Sequence, residues 1–554
     1  MTKFISGVEK RKLKFFLRKI LESYNLRLQV YKSLIIPSQN IAMHHLRKIA
    51  KNSNPIDKEK PGKKIIFNSV DGRYMLHTYH EAGIAKALQL RGNDVKMLIC
   101  GGAFCKMCAG HFTVKKPYTP WDCKNCIYFS KKFFKTSKIP YSTYFDYLTK
   151  QDIEKIHKKV DSIPIKQYEN FFYKGVNAGF YAKTSADRYF VGSPPDKDLY
   201  EYVIRSELIN SIITTDVAEK VHLIDKPDIL VTSHGCYSSW GNFSDFFINK
   251  NVNVYVWFSG YKKNTVIFDK HKLPEYFKKY YEEIREKKPL SDEELQELNK
   301  FLNKRVMGEE GDTAFYEFSK KNKNLKKMFD IDKYEKNYFI FPNVPWDRSI
   351  ALLSGKVAFE SVYKWISDTI DLFIEKPNLQ LIIKIHPAEA ATGRSEKTLL
   401  DYINEKYEKL PDNIKTIPPK TEINPYSLFP LMDVGIVSNG TIGLEMALNN
   451  IPVVVTGQVH YYNNGFTYDV STEKEYFKTL MTDIKPLQNQ QTLARIYTYF
   501  YFIKSFIPRN YLYYKNFLNL GWTVKSFDDF AKGKDKYLDY ICDYILNDGV
   551  YQNW

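Results

Sequence analysis

His386-Pro387 closes an apolar run, Leu381-Ile382-Ile383-Lys384-Ile385, and about fifty residues later Ser438-Asn439-Gly440-Thr441 closes a second, Asp433-Val434-Gly435-Ile436-Val437. The second turn opens into Ile442-Gly443-Leu444-Glu445-Met446-Ala447-Leu448. Short buried strands that end in small polar residues and lead into helices are where an α/β sheet collects phosphate groups. There the first helical turn offers unpaired N–H donors and a partial positive charge. The pattern predicts a nucleotide ligand. Hydroxyls at Ser438 and Thr441 add donors, Gly440 lets the backbone approach an anion, and a protonated His386 would donate a charge-assisted hydrogen bond. Lys384, two residues before His386 and so on the same strand face, is a second candidate cation. Taken alone, the Ser438 turn is equally an ordinary capped strand-to-helix connection.

A second constellation is sulfur-based. Cys105-x-x-Cys108 and Cys123-x-x-Cys126 are separated by fourteen residues, the knuckle spacing of a structural zinc site. Four thiolates would close the coordination sphere and leave no position for substrate, so the expected role is structural. The metal would tie down an insertion, residues 100–130, that has little apolar material of its own. An iron–sulfur cluster is the alternative, and paired disulfides fit a reducing compartment less well. Cys100 reads as a buried strand residue, with a spare ligand as the alternative, and Cys236 and Cys542 read as core.

Two sets of alternating strand and helix patterns position these residues. The first contains Lys64–Asn68, a helix over Glu81–Leu90, Val95–Ile99, Asp228–Thr232 and Val252–Trp257; the second contains Tyr338–Phe341, Leu379–Ile385, Asp433–Val437 and Pro452–Val455. A charged helical stretch from about Pro274 to Arg305, with Ser291 as N-cap before Asp292-Glu293-Glu294, lies between them. Two doubly wound domains would face a cleft between the carboxyl ends of their sheets.

At 554 residues and 44% apolar composition, two large globular domains are expected. No apolar run approaches the roughly 18 residues of a membrane span, and no signal-peptide core is apparent, which predicts a cytoplasmic protein. Of the net charge of +19, residues 1–64 carry 16 Lys or Arg against 4 Asp or Glu, a surplus of +12. Within that arm Leu13, Phe16, Leu17, Ile20, Leu21, Tyr24, Leu28, Tyr31 and Ile35 recur at helical spacing beside Arg11, Lys12, Lys14, Arg18 and Lys19. Such a basic amphipathic helix suits the inner face of an anionic membrane, or a helix docked on its own domain with a solvated charged face. No basic motif of a known nucleic-acid module is present.

Together, His386-Pro387, the run from Ser438 to Glu445, and Pro452-Val453-Val454-Val455-Thr456-Gly457 resemble the C-terminal half of GT-B glycosyltransferases of the capsule polysaccharide biosynthesis family, which includes bacterial Kdo transferases. The resemblance covers roughly residues 335–470 and implies a GT-B-like α/β fold of two Rossmann-like domains. The expected organisation is a basic helical arm (1–62), an acceptor domain with the Cys-rich insertion (63–330), a nucleotide-sugar donor domain (331–485) and aromatic C-terminal helices packed back on the first domain (486–554). It implies that Lys384, His386, Ser438, Asn439, Gly440 and Thr441 hold the donor phosphate and that Glu445 meets the donor ribose; otherwise Glu445 is a solvated first-turn acid favoured by the helix dipole. The acceptor, a surface polysaccharide or a lipid-linked sugar, would need a base for its hydroxyl, for which Asp71 and His234 are the candidates; His77 and His80 read as hydrogen-bonding partners. No convincing Asp-x-Asp metal signature stands in the sequence. A nucleotide-sugar epimerase on the same frame and a zinc-ribbon nucleic-acid binder are the competing readings. The second leaves His386 and the Ser438 turn unexplained.

Overall fold

The structure, a computed structural model, describes residues 36–53, 62–72, 74–104, 107–108, 120–190, 197–271, 289–307, 324–344, 358–391, 398–419, 421, 423–516 and 519–547. The amphipathic stretch Leu13–Ile35 and Cys105 lie outside them.

Two sheets carry the fold. The first is built from β1 (Lys64–Asn68), β2 (Asp94–Ile99), β3 (Tyr141–Thr143), β6 (Ile229–Ser233), β7 (Asn253–Ser259), β8 (Thr265–Lys270) and β15 (Ile507–Pro508). A small hairpin, β4 (Phe172–Tyr173) and β5 (Val176–Asn177), stands apart. In the sheet the order is β15-β8-β7-β6-β1-β2-β3, parallel from β7 to β3, with β8 antiparallel to both neighbours. The parallel strands are near-continuous apolar runs because helices cover both faces. Ile65 and Phe67 therefore enter one core while Ile66, pointing the other way, enters the second.

The second sheet comprises β9 (Lys336–Phe341), β10 (Leu379–Lys384), β11 (Ile414–Ile417), β12 (Val434–Val437), β13 (Val453–Val455) and β14 (Tyr468–Asp469). It is parallel throughout in the order β11-β10-β9-β12-β13-β14. Its faces are again split, Phe339 and Phe341 to one core and Tyr338 and Ile340 to the other.

The helix after β1 runs over Met75–Leu90, six residues earlier than the pattern predicts, and Met75 to Leu88 are all buried. His77, His80 and Glu81 are buried polar groups, so the first turns present no amphipathic period. Ser291 does cap the Asp292–Val306 helix, in a reciprocal capping box with Glu294. Ala42, Met43, Leu46 and Ile49 of the Ile36–Lys51 helix pack into the first core.

The C-terminal segment joins the halves. Tyr497, Tyr499, Phe502 and Phe506 belong to the core of the second half. β15 then adds to the first sheet, and the hairpin β16 (Leu512–Asn516) and β17 (Asn519–Trp522) sends Leu512 and Trp522 into the first core, followed by Phe530, Leu538 and Ile541. Among the described residues no helix is long and apolar enough to cross a membrane.

Candidate functional site

In the second sheet the winding reverses between β9 and β12, so the crevice beyond their carboxyl ends is the expected ligand position. Asn343 follows β9, and Ser438–Thr441 follow β12; His386 follows β10, on the other side of β9. The Asn343 side-chain oxygen accepts the Asn439 N–H at 3.2 Å, and the Tyr461 hydroxyl donates to the Gly440 carbonyl at 2.8 Å. Gly440 has φ +111° and ψ 158°, a conformation essentially reserved for glycine, and it starts the Thr441–Leu448 helix without a side-chain cap. A Cβ on Gly457, beyond β13, would come within 2.5 Å of the Ser438 carbonyl oxygen. The turn is thus held from three strands, with its helical N–H groups left to a ligand.

His386 is half-buried, and its Nδ1 accepts the Ala388 N–H at 3.1 Å. That bond fixes the tautomer with the proton on Nε2. Burial, reinforced by Lys384, pushes the imidazole down to about 4, which leaves the ring neutral near pH 7 with its Nε2–H as a donor. Lys384 is buried, its amine pushed down to about 8 by desolvation, and its Nζ donates to the carbonyls of Ile385 at 3.3 Å and Pro418 at 3.5 Å.

Glu445 is also buried and is met by Arg305, whose Nη2 and Nε lie 2.6 and 3.1 Å from its Oε1. The same guanidinium donates to the Thr441 hydroxyl at 3.1 Å. The helix Asp292–Val306 therefore delivers a cation to Thr441, the first residue of the helix that follows the Ser438 turn.

The first sheet has its own reversal between β1 and β6. Asn68–Asp71 and Ser233–Gly235 leave the sheet there, bringing both candidate bases to one edge. Asn68 is buried, donating to the Ser239 carbonyl at 3.1 Å and accepting from the Tyr144 hydroxyl at 3.1 Å, so it anchors the Asp71 loop. His234 takes φ +55°, its Nδ1 is hydrogen-bonded to the Ser233 hydroxyl, and its ring stacks on Trp240 with centroids 5.5 Å apart. Burial first, then Arg188, push it down to about 4, leaving a neutral imidazole able to accept a proton. His77 packs 5.3 Å from His234. Glu81 accepts from Trp257 Nε1 at 3.0 Å, and burial raises its carboxyl to about 8.

Asp71 lines a cavity with Cys100, Cys108, Cys123 and Cys126. Cys100 stands just past β2 and faces this cavity, accepting the Phe104 N–H at 3.4 Å, and burial pushes its thiol up to about 12. Among the described residues no three His, Cys, Asp or Glu groups converge closely enough to hold a metal ion. The four-cysteine zinc set is therefore not assembled within the described residues, its first member Cys105 lying outside them.

The carboxyl edges of the two sheets approach through an aromatic seam. Tyr261, beyond β7, lies 5.5 Å from Phe502, which in turn lies 6.1 Å from His460 in the segment after β13.

Asn343, Arg305 and Tyr461 carry no motif of their own. Asn343 alone had a readable signal, a small polar residue two positions past a buried strand. Arg305 lies 140 positions from its partner Glu445, beyond any local pattern.

Residues 262–500 match the family described as capsule polysaccharide biosynthesis protein. No curated protein matches the chain. Among solved structures it is similar to a KpsC beta Kdo 2,4 transferase from Thermosulfurimonas dismutans, at 14% identity over 49% of this chain and 79% of that one, TM-score 0.33. A beta Kdo 2,7 transferase of the same organism aligns at 16% identity over 50% and 79%, TM-score 0.29. A UDP-GlcNAc 2-epimerase from Neisseria meningitidis aligns at 10% identity over 78% and 94%, TM-score 0.21.

Proposed function

We propose that this chain, whose residues 262–500 match the capsule polysaccharide biosynthesis family, is a glycosyltransferase that moves a sugar from a nucleotide-sugar donor to a polysaccharide or lipid-linked acceptor. The observation that carries the reading is the uncapped Thr441–Leu448 helix at the reversal point of a parallel sheet, with a glycine-only turn at its start. Its N–H groups, the His386 Nε2–H and the Arg305 guanidinium receive the phosphate as the bond from the anomeric carbon to the phosphate oxygen breaks. The acceptor hydroxyl attacks that carbon from the first domain, and its proton passes to His234 or Asp71. Closure along the seam would exclude water from the reacting sugar.

Titration calorimetry with CMP, UDP, GDP and CDP sugars tests the donor site. One nucleotide class is expected to bind, and Gly440→Val to weaken it at least about tenfold, or ~1.4 kcal/mol. Binding by none, or equal binding by the variant, overturns the reading. Donor turnover without any acceptor would favour an epimerase.

We also propose that Cys105, Cys108, Cys123 and Cys126 hold a structural metal, zinc in preference to an iron–sulfur cluster. The reading is supported by the spacing of the two pairs and by the cavity that Cys108, Cys123 and Cys126 share. Metal analysis of the purified protein should return zinc at one equivalent, lost in Cys123→Ser; metal-free wild type rejects the proposal.

A further inference from the structure

Arg509 directly follows β15. That strand runs antiparallel to β8 and hence in the direction of β7, β6 and β1, so the chain leaves it at the edge that also carries Asp71 and His234. Arg509 is 4% exposed, and its Nε and Nη1 have no hydrogen-bond partner among the described residues. A guanidinium does not shed its proton at any ordinary pH, so this cation is buried as a cation. Among the described residues, Tyr74, His77, His80 and Tyr511 interact with its charge, and none of these is a carboxylate. Glu81, the carboxyl on the neighbouring helix, is turned to Trp257 and Ser69 instead.

Two further features share this place. The Met75–Leu90 helix starts at Tyr74 with no side-chain cap for its first N–H groups, and Tyr74 and His77 of that turn interact electrostatically with the guanidinium. His80 is fully buried, its Nδ1 bonded to the Tyr511 hydroxyl at 2.7 Å, and its Nε2 has no partner among the described residues. Unpaired donors buried around an uncompensated cation are costly unless an anion completes them.

We propose that Arg509 and the first turn of the Met75–Leu90 helix bind an anionic group, a carboxylate or a phosphate, on the acceptor substrate. The inference rests on the transfer reading above and gives it an acceptor class: an acidic sugar unit, or one joined to a phosphate. The planar fork of Arg509 suits either oxyanion, and the anchored anion would set which hydroxyl reaches His234 or Asp71.

Thermal shift of the full chain with glucuronate, glucose 6-phosphate and glucose, without nucleotide sugar, tests this apart from the donor site. Wild type is expected to gain about 2–4 °C with one or both anionic sugars and nothing with glucose. The better of the two anions identifies the source, carboxylate or phosphate. Arg509→Met should fold with an unchanged or higher melting temperature, since it removes an unpaired buried charge, and should lose the anion response while keeping nucleotide-sugar binding. Three results overturn the proposal: an equal anion response in Arg509→Met, no response in wild type, or collapse of Arg509→Met with rescue by Arg509→Lys in the absence of any anion. None of them bears on nucleotide-sugar binding by the second half.

Discussion

Glu81 shows how the candidate site and the stability of the fold are linked at a single residue. Its carboxyl is raised to about 8 from an ordinary 4.5, chiefly by burial. A folded-state pKa above the unfolded one means that the native state holds the extra proton between those values. The stability this confers is fully present below about pH 4.5 and is lost as pH rises through about 8. His234 and His386, both pushed down to about 4, act in the opposite sense: their contribution is complete above about pH 6.5 and lost as pH falls through about 4. Glu81→Gln keeps an oxygen to accept from Trp257 and removes the titration. Urea unfolding at about pH 5 and about pH 8.5 should show wild type losing stability at the higher pH, on the order of a few kcal/mol, relative to the variant. Parallel curves for the two proteins would show that Glu81 does not titrate in the folded state.

Between elements, the tie that matters to the proposed donor site is Arg305 to Glu445, joining the Asp292–Val306 helix to the Thr441–Leu448 helix. Their side chains are 13% and 9% exposed, so neither charge is well solvated. Removing one partner strands the other. Glu445→Ala is therefore expected to destabilise the protein by roughly 3–5 kcal/mol, and the double replacement Arg305→Met with Glu445→Met to recover most of it. A chemical-denaturation double-mutant cycle measures the coupling, and a value near zero would mean that the pair does not hold the two helices together. Glu445 was singled out from sequence, but as a ribose contact or a solvated first-turn acid, and it stands instead buried and beyond the first turn of its helix. Its partner was not singled out, because only the folded linker helix brings position 305 to that helix.

At the scale of the molecule, much of the architecture could be read from pattern. Strands such as β1, β10, β12 and β13 are short apolar runs buried on both faces, and such runs are visible in any window. Those missed lack that signature: β3 is Tyr141-Ser142-Thr143, β11 has Lys415 and Thr416 at its centre, and β15 is two residues long. The start of the Met75–Leu90 helix was hidden for a related reason, since His77, His80 and Glu81 look like surface residues and are buried. The sequence by itself determined the apolar strands at the centre of each sheet and that His386 and the Ser438–Thr441 turn follow two of them, because strand propensity, glycine conformation and helix-terminus chemistry are local. Only the tertiary structure decided the strand order that puts the reversal at β9 and β12, the pairing of Glu445 with Arg305, and the arrival of Arg509 beside His77 from the far end of the chain. Those depend on contacts between distant segments, where burial, not local propensity, selects the partner.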